Sequence, residues 1–135
     1  MSDNFPTIAK PSISNMPIPP NLSDYEKTRK DFDWFKDGFS KLDWLPDGGL
    51  NNAYESVDRH VKNGKGNYNA LIWIGKNGEE ETYTYSEFKE ESDKFGQVMK
   101  NLGIKRGDRV FIFMDRIPEL YFAAMGILKA GGVIA

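Results

Sequence analysis

The stretch from Arg109 to Ala135, RVFIFMDRIPELYFAAMGILKAGGVIA, constrains this chain more than any other. Val110-Phe111-Ile112-Phe113-Met114 is apolar without alternation, the pattern of a strand covered on both faces in a parallel sheet. Pro118 suits the first turn of a helix, where a missing N–H costs little, and Glu119 beside it favours the same helix end. Leu120, Tyr121, Ala124 and Leu128 then fall on one face, and Gly131-Gly132 end the helix. Val133 starts a second strand, joined to the first by a right-handed crossover. Strand, helix, parallel strand sets the class as α/β, and a parallel layer begun here calls for further polypeptide. The expectation is an incomplete N-terminal part of a larger domain, with its sheet edges exposed and the isolated chain marginally folded or prone to aggregate.

Upstream, the pattern is equally local. In YTYSEFKEESDKFGQVMKNLG, Thr84 and Glu87 form a capping box. Phe88, Ser92, Phe95, Met99 and Leu102 make the stripe of the helix that follows, and Gly103 stops it. ALIWIGKNGEEETYTY reads as a hairpin closed by Asn77-Gly78 in a type I′ turn, which requires positive φ at both residues. LNNAYESVDRHVKNG reads as a helix from near Asn51 to just before Gly64. Leu50, Tyr54, Val57 and Val61 lie on one face, and Glu55–Arg59 and Asp58–Lys62 are spaced for ion pairs. Pro46-Asp47-Gly48-Gly49 is a turn. Between Tyr25 and Trp44, charges alternate with Tyr25, Phe32, Trp34, Phe35, Phe39 and Trp44. Such rings predict one or two short helices docked on another surface.

The divisions expected are an extended, Pro-rich arm over 1–24 and one incomplete α/β segment over 25–135. Five of the seven prolines (Pro6, Pro11, Pro17, Pro19 and Pro20) fall within the first twenty residues. The arm either wraps a surface or stays mobile, and a partner domain that recognises polyproline is the sharper alternative.

Composition narrows the function classes. Net charge is −2 among 135 residues, which gives no general attraction to nucleic acid or acidic lipid. Cysteine is absent, which removes disulfides, thiolate nucleophiles and thiolate metal sites together. The start, MSDNFPTIAK, lacks the pattern of a signal peptide, and no apolar run approaches the roughly 20 residues of a bilayer span. A cytoplasmic protein is expected, with no nucleic-acid or membrane partner.

Candidate chemistry is sparse. Gly64-Lys65 and Gly75-Lys76 lack the glycine spacing and the Ser or Thr of a phosphate loop. His60 is the only histidine; with Asp58 and either Ser56 or Ser86 it could be drawn as a nucleophile constellation, against the simpler reading of a boundary histidine bonded to a neighbour. Glu79-Glu80-Glu81 and Glu90-Glu91 pair carboxylates on solvated turns or faces, without the burial that acid–base work requires. Arg106-Gly107-Asp108 spells an adhesion tripeptide but reads as a turn into a strand. Asn21-Leu22-Ser23 is a glycosylation sequon without a secretory signal.

Several strings taken together resemble one family. LNNAYESVDRHVKNGKGNYNALIWIG, then ETYTYSEFKEESDKFGQVMKNLGIKRGDRVFIFM, then RIPELYFAAMGILKAGGVIA are similar to the N-terminal part of AMP-forming acetyl-CoA synthetases. The T-Y-x-E and G-D-R-V portions fit the wider adenylate-forming superfamily. The aromatic lead-in and the VDRH helix fit the acetyl-CoA branch, and the resemblance covers about residues 25–135. Asp115 stands where many relatives have proline. The resemblance implies an enzyme that activates acetate with Mg²⁺ and ATP to acetyl-AMP, then transfers the acetyl group to CoA. A synthetase for propionate or a longer acid is the nearer alternative, and a stand-alone α/β binding module the more distant one. The family's phosphate loop, Mg²⁺ and acyl sites, CoA contacts and catalytic lysine come after the matched strings. No catalytic, cofactor-binding or metal residue is therefore carried over to this chain, and ATP, Mg²⁺ and CoA are not expected to bind it.

Overall fold

The computed structural model describes residues 7–9 and 11–135. The first positions of the proline arm, including Pro6, and Lys10 lie outside them. Two compact units are present, Met1–Lys41 and Leu42–Ala135.

In the first unit, Ile13–Asn15 forms one 3₁₀ turn and α1 spans Tyr25–Asp31. Asp24 caps α1 by accepting from the Lys27 N–H at 3.0 Å. A π-helical turn, Trp34–Gly38, and a 3₁₀ turn, Phe39–Lys41, follow. Asp33 caps the π turn through the Lys36 N–H, while the Asp33 N–H donates back to Asp37, both at 2.8 Å. Tyr25, Phe32, Trp34, Phe35, Phe39 and Trp44, read in the sequence as rings that dock on another surface, are all exposed. Rings of this lead-in instead pair locally, with Phe32 edge-on to Trp34 and Phe35 stacked on Phe39. Their close sequence spacing makes those contacts available without burial.

The second unit opens with the turn at Gly48, which has φ +75° and donates to the Leu45 carbonyl at 2.8 Å. Residues 52–65 are helical, with π turns at Tyr54–Asp58 and Val61–Lys65, and the helix breaks at Asn63 and Gly64 as expected. Its buried face carries Ala53 and Val57; Leu50 is exposed. Leu50 lies ahead of the helix start at residue 52, whereas Tyr54 and Val61 stay half-buried beside Val57. Glu55 pairs with Arg59, but Asp58 pairs with Lys89 and Lys129, and Lys62 reaches Asp43.

Strands β1 (Asn69–Ile74) and β2 (Glu80–Thr84) form an antiparallel hairpin with an irregularity between Asn69 and Leu71. The type I′ turn is not formed: Gly78 has φ +90°, but Asn77 keeps a negative φ. Gly78 N–H donates to the Gly75 carbonyl at 3.1 Å, and Gly75 N–H to Glu79 at 2.7 Å. This is the longer connection, in which a turn ends on a left-handed glycine. Asn77 is held out of that region by its own bonds to Glu79, from the backbone at 3.0 Å and from Nδ2 at 2.9 Å.

Helix α2 (Tyr85–Asn101) begins at the expected capping box of Thr84 and Glu87. It ends where Gly103, at φ +83°, donates to Lys100 while Ile104 donates to Met99, both 6→1 and 5→2 bonds of a Schellman motif. Its buried face is Phe88, Ser92, Gly96 and Met99. Leu102 is 70% exposed, so the stripe stops one turn early.

Strand β3 (Arg109–Val110), α3 (Pro118–Lys129) and β4 (Val133–Ile134) form the expected unit, with β3 and β4 parallel. Two details differ. The regular strand spans Arg109–Val110 and its hydrogen bonding reaches Ile112, whose N–H donates to the Ala135 carbonyl at 3.0 Å, rather than running through Met114; Phe111 is 80% and Phe113 104% exposed. The inner face of α3 is Pro118, Phe122, Ala123, Gly126 and Ile127, whereas Tyr121 is exposed. The helix is apolar around most of its circumference, so periodicity could not choose its face; Gly126 does.

The core is Val57, Phe88 and Phe122, with Ala70, Leu71, Tyr83 and Met125 against it. Phe122 receives Tyr83 and Phe88 edge-on, each with centroids 5.0 Å away. Helices α2 and α3 share the most extensive interface. At its centre, a Cβ on Gly126 would stand 2.7 Å from Phe95 Cβ, 2.8 Å from Gly96 N and 2.9 Å from the Ser92 carbonyl. Two of those three obstacles are backbone, so the helices would have to separate.

Gly126→Ala is therefore expected to destabilise the chain. Overpacking of about 1–3 kcal/mol exceeds the roughly 1 kcal/mol that alanine gains over glycine within a helix. Urea unfolding followed by circular dichroism measures the difference. Conversely, Phe111→Ser with Phe113→Ser removes exposed apolar surface and is expected to change stability by less than about 0.5 kcal/mol. The soluble, monodisperse fraction should rise in size-exclusion chromatography.

Candidate functional site

The residues singled out as a possible nucleophile constellation make their contacts with other groups. Ser56 Oγ donates to the Asn52 carbonyl at 2.7 Å and lies 3.6 Å from Met125 Sδ. The His60 ring packs on Tyr85 with centroids 4.7 Å apart, and the Asp58 carboxylate turns to lysines. Ser86 donates its backbone N–H to the Gly66 carbonyl at 3.0 Å. None of these contacts joins Ser56 or Ser86 to His60, or His60 to Asp58.

The acidic runs are held by nearby partners. Glu79 accepts from Asn77, whose side-chain hydrogen bond holds the Glu79 carboxyl below the usual carboxylate range. Glu81 accepts from the Tyr83 hydroxyl; that bond, then burial, pushes the Tyr83 phenol up to about 12. Glu90 and Glu91 both pair with Lys94. Gly64 closes a helix and Gly75 opens the hairpin turn, so neither glycine–lysine pair forms a phosphate cradle. Arg106-Gly107-Asp108 is a turn into β3, in which the Gly107 N–H donates to Gly131 and the Lys105 N–H to Asp108 Oδ2. Among the described residues, no three His, Asp or Glu side chains are grouped to hold a metal ion. No helix among them is long and apolar enough to cross a membrane.

Two polar assemblies remain. The first joins three helical segments. Lys129 Nζ, on a side chain only 12% exposed, reaches Asp58 Oδ2 at 3.0 Å and Asp93 Oδ1 at 2.6 Å. Lys89 Nζ lies 2.5 Å from Asp93 and 3.6 Å from Asp58. Burial opposes ionisation of Asp93, but the hydrogen bonds from Lys129 and Lys89 outweigh it and keep its carboxyl below the ordinary range. The Lys89 ammonium is held above its ordinary range, first by its bond to Asp93. Two acids facing two lysines are mutually neutralised, which suits a clamp rather than proton transfer. Lys89 and Asp93 stand four apart on α2, but the two aspartates are 36 and 71 positions from Lys129, so sequence spacing does not reveal that the assembly joins three segments.

The second is a depression of about 300 Å³ lined by Leu45, Gly49, Asn51, Arg106, Leu128 and Gly131. Asn51 sits at its wall and is engaged through both its side-chain oxygen and its nitrogen. Its Oδ1 accepts from the Ala53 and Tyr54 N–H groups at 3.0 and 3.2 Å, and its Nδ2 donates to the Leu128 carbonyl at 2.9 Å. One side chain thus caps the start of the 52–65 helix and satisfies a carbonyl at the end of α3. Arg106 lies 3.7 Å from Asp47 and is the depression's one cationic side chain. Activating a carboxylate toward a phosphoanhydride needs several convergent cationic donors, and this wall supplies one.

Both assemblies yield measurable expectations. Asp93 has a folded pKa lowered from its unfolded value, so its contribution is present above about pH 4 and disappears as pH falls through the folded pKa. The stability difference between the parent chain and Asp93→Asn should be greatest near neutrality and close as melts are taken from pH 7 into the acid range. Asn51→Asp keeps the cap and loses the donor to Leu128, whereas Asn51→Ala loses both. Alanine should cost about 1–2 kcal/mol in chemical unfolding, and aspartate should recover part of that.

Similarity to known proteins agrees with this architecture. Residues 57–135 match the family described as AMP-binding enzyme. An acetyl-coenzyme A synthetase of Bacillus subtilis is 43% identical over 114 residues, covering 84% of this chain and 20% of that protein. Another, from Rubrobacter xylanophilus, is 39% identical over 114 residues, with 78% and 18% covered. The crystal structure of a Brucella canis acyl-CoA synthetase superposes with a TM-score of 0.72 at 27% identity, over 82% of this chain and 20% of that one. The chain thus spans about a fifth of the length of the curated relatives it matches. On the family match over residues 57–135, this α/β chain belongs to the AMP-binding enzymes.

Proposed function

We propose that this chain is the N-terminal part of an acetate–CoA ligase and contributes framework rather than reacting groups. In that reaction acetate attacks the α-phosphorus of ATP, giving acetyl-AMP and releasing pyrophosphate. The thiol of CoA then attacks the acetyl carbon, giving the thioester and releasing AMP. The observation that carries the reading is the 43% identity to an acetyl-coenzyme A synthetase over 114 residues, nearly the whole chain.

The groups that ATP, Mg²⁺ and CoA would require do not fit the residues here. Asp58 and Asp93 are taken by lysines, and the glycine–lysine pairs lie in turns. No step is therefore assigned to this chain's side chains. What they do is set α2, α3 and the hairpin around one core, from which the parallel strands β3 and β4 extend. The acyl pocket is not among these residues, so acetate as substrate rests on the relatives; the B. canis structure, an acyl-CoA synthetase, keeps a longer acid as the second reading.

A chimera tests the proposal. Residues 25–135 replace the matching segment of the B. subtilis acetyl-coenzyme A synthetase, and acetate- and propionate-dependent pyrophosphate release are followed. A folded chimera should retain activity within about tenfold, a barrier difference of about 1.4 kcal/mol, with the parent's acid preference. The 135-residue chain alone should give no turnover above blank. A folded but inactive chimera, or turnover by the short chain, would refute the reading.

A further inference from the structure

We draw no further inference here: the strongest candidate, the exposed apolar surface beside the parallel strands β3 and β4 that carries Phe111 and Phe113, has nothing in the structure to show what covers it.

Discussion

The contact between α2 and α3 at Gly96 and Gly126 governs the second unit, because every other element there is packed against one of those two helices or joined to it. With no Cβ on either glycine, the backbones approach until a Cβ on Gly96 would lie 3.2 Å from the Gly126 carbonyl. Phe88 and Phe122 meet edge-on across the same pair of helices, and the hairpin contributes Tyr83 to that aromatic group. Ser92 lies in this contact fully buried, and its hydroxyl is satisfied within α2 by the Phe88 and Lys89 carbonyls. A polar side chain therefore enters the interface without an unpaired hydrogen-bonding group.

Charge then fixes what apolar packing leaves free. Dispersion and burial are non-directional, so two smooth helices can slide over each other at little cost. Lys129, near the end of α3, meets one aspartate on α2 and another on the 52–65 helix, which pins three segments at one point. Asn51 pins the same region from the other side by joining the start of one helix to the end of another. Net gain from half-buried ion pairs is small, because desolvation offsets attraction. Their orientation is the more consequential property: a shifted α3 would leave Lys129 enclosed without both carboxylates.

What was legible in the sequence follows from the range of each interaction. The capping box at Thr84, the glycine stop at Gly103 and the proline start of α3 depend on residues within one turn, and all three form as read. The hairpin was legible as a hairpin, but its turn type depended on bonds between Asn77 and Glu79 that a two-residue motif does not contain. The face of α3 was misread because Leu120, Tyr121, Ala124 and Leu128 are as apolar as the residues it buries. A glycine carries no hydropathy signal, yet Gly126 sets the closest approach. The family resemblance was legible for a different reason: it rested on ordered strings across most of the chain, and those strings largely encode caps, turns and helix ends.

That same property explains why a clear family membership coexists with so little chemistry. Thr84, Glu87, Gly103, Gly107 and Pro118 are spent on backbone geometry, and the charged groups that burial brings together neutralise one another. A reactive centre needs the opposite arrangement, with polar groups preorganised toward a ligand and left incompletely satisfied by protein. Here Asn51, Ser92, Asp93 and Lys129 each find their partners within the fold. The surface left unsatisfied is apolar: a two-stranded parallel ladder with Phe111 and Phe113 exposed. Parallel sheets are ordinarily covered on both faces. The energetic imbalance of this segment is thus hydrophobic rather than electrostatic.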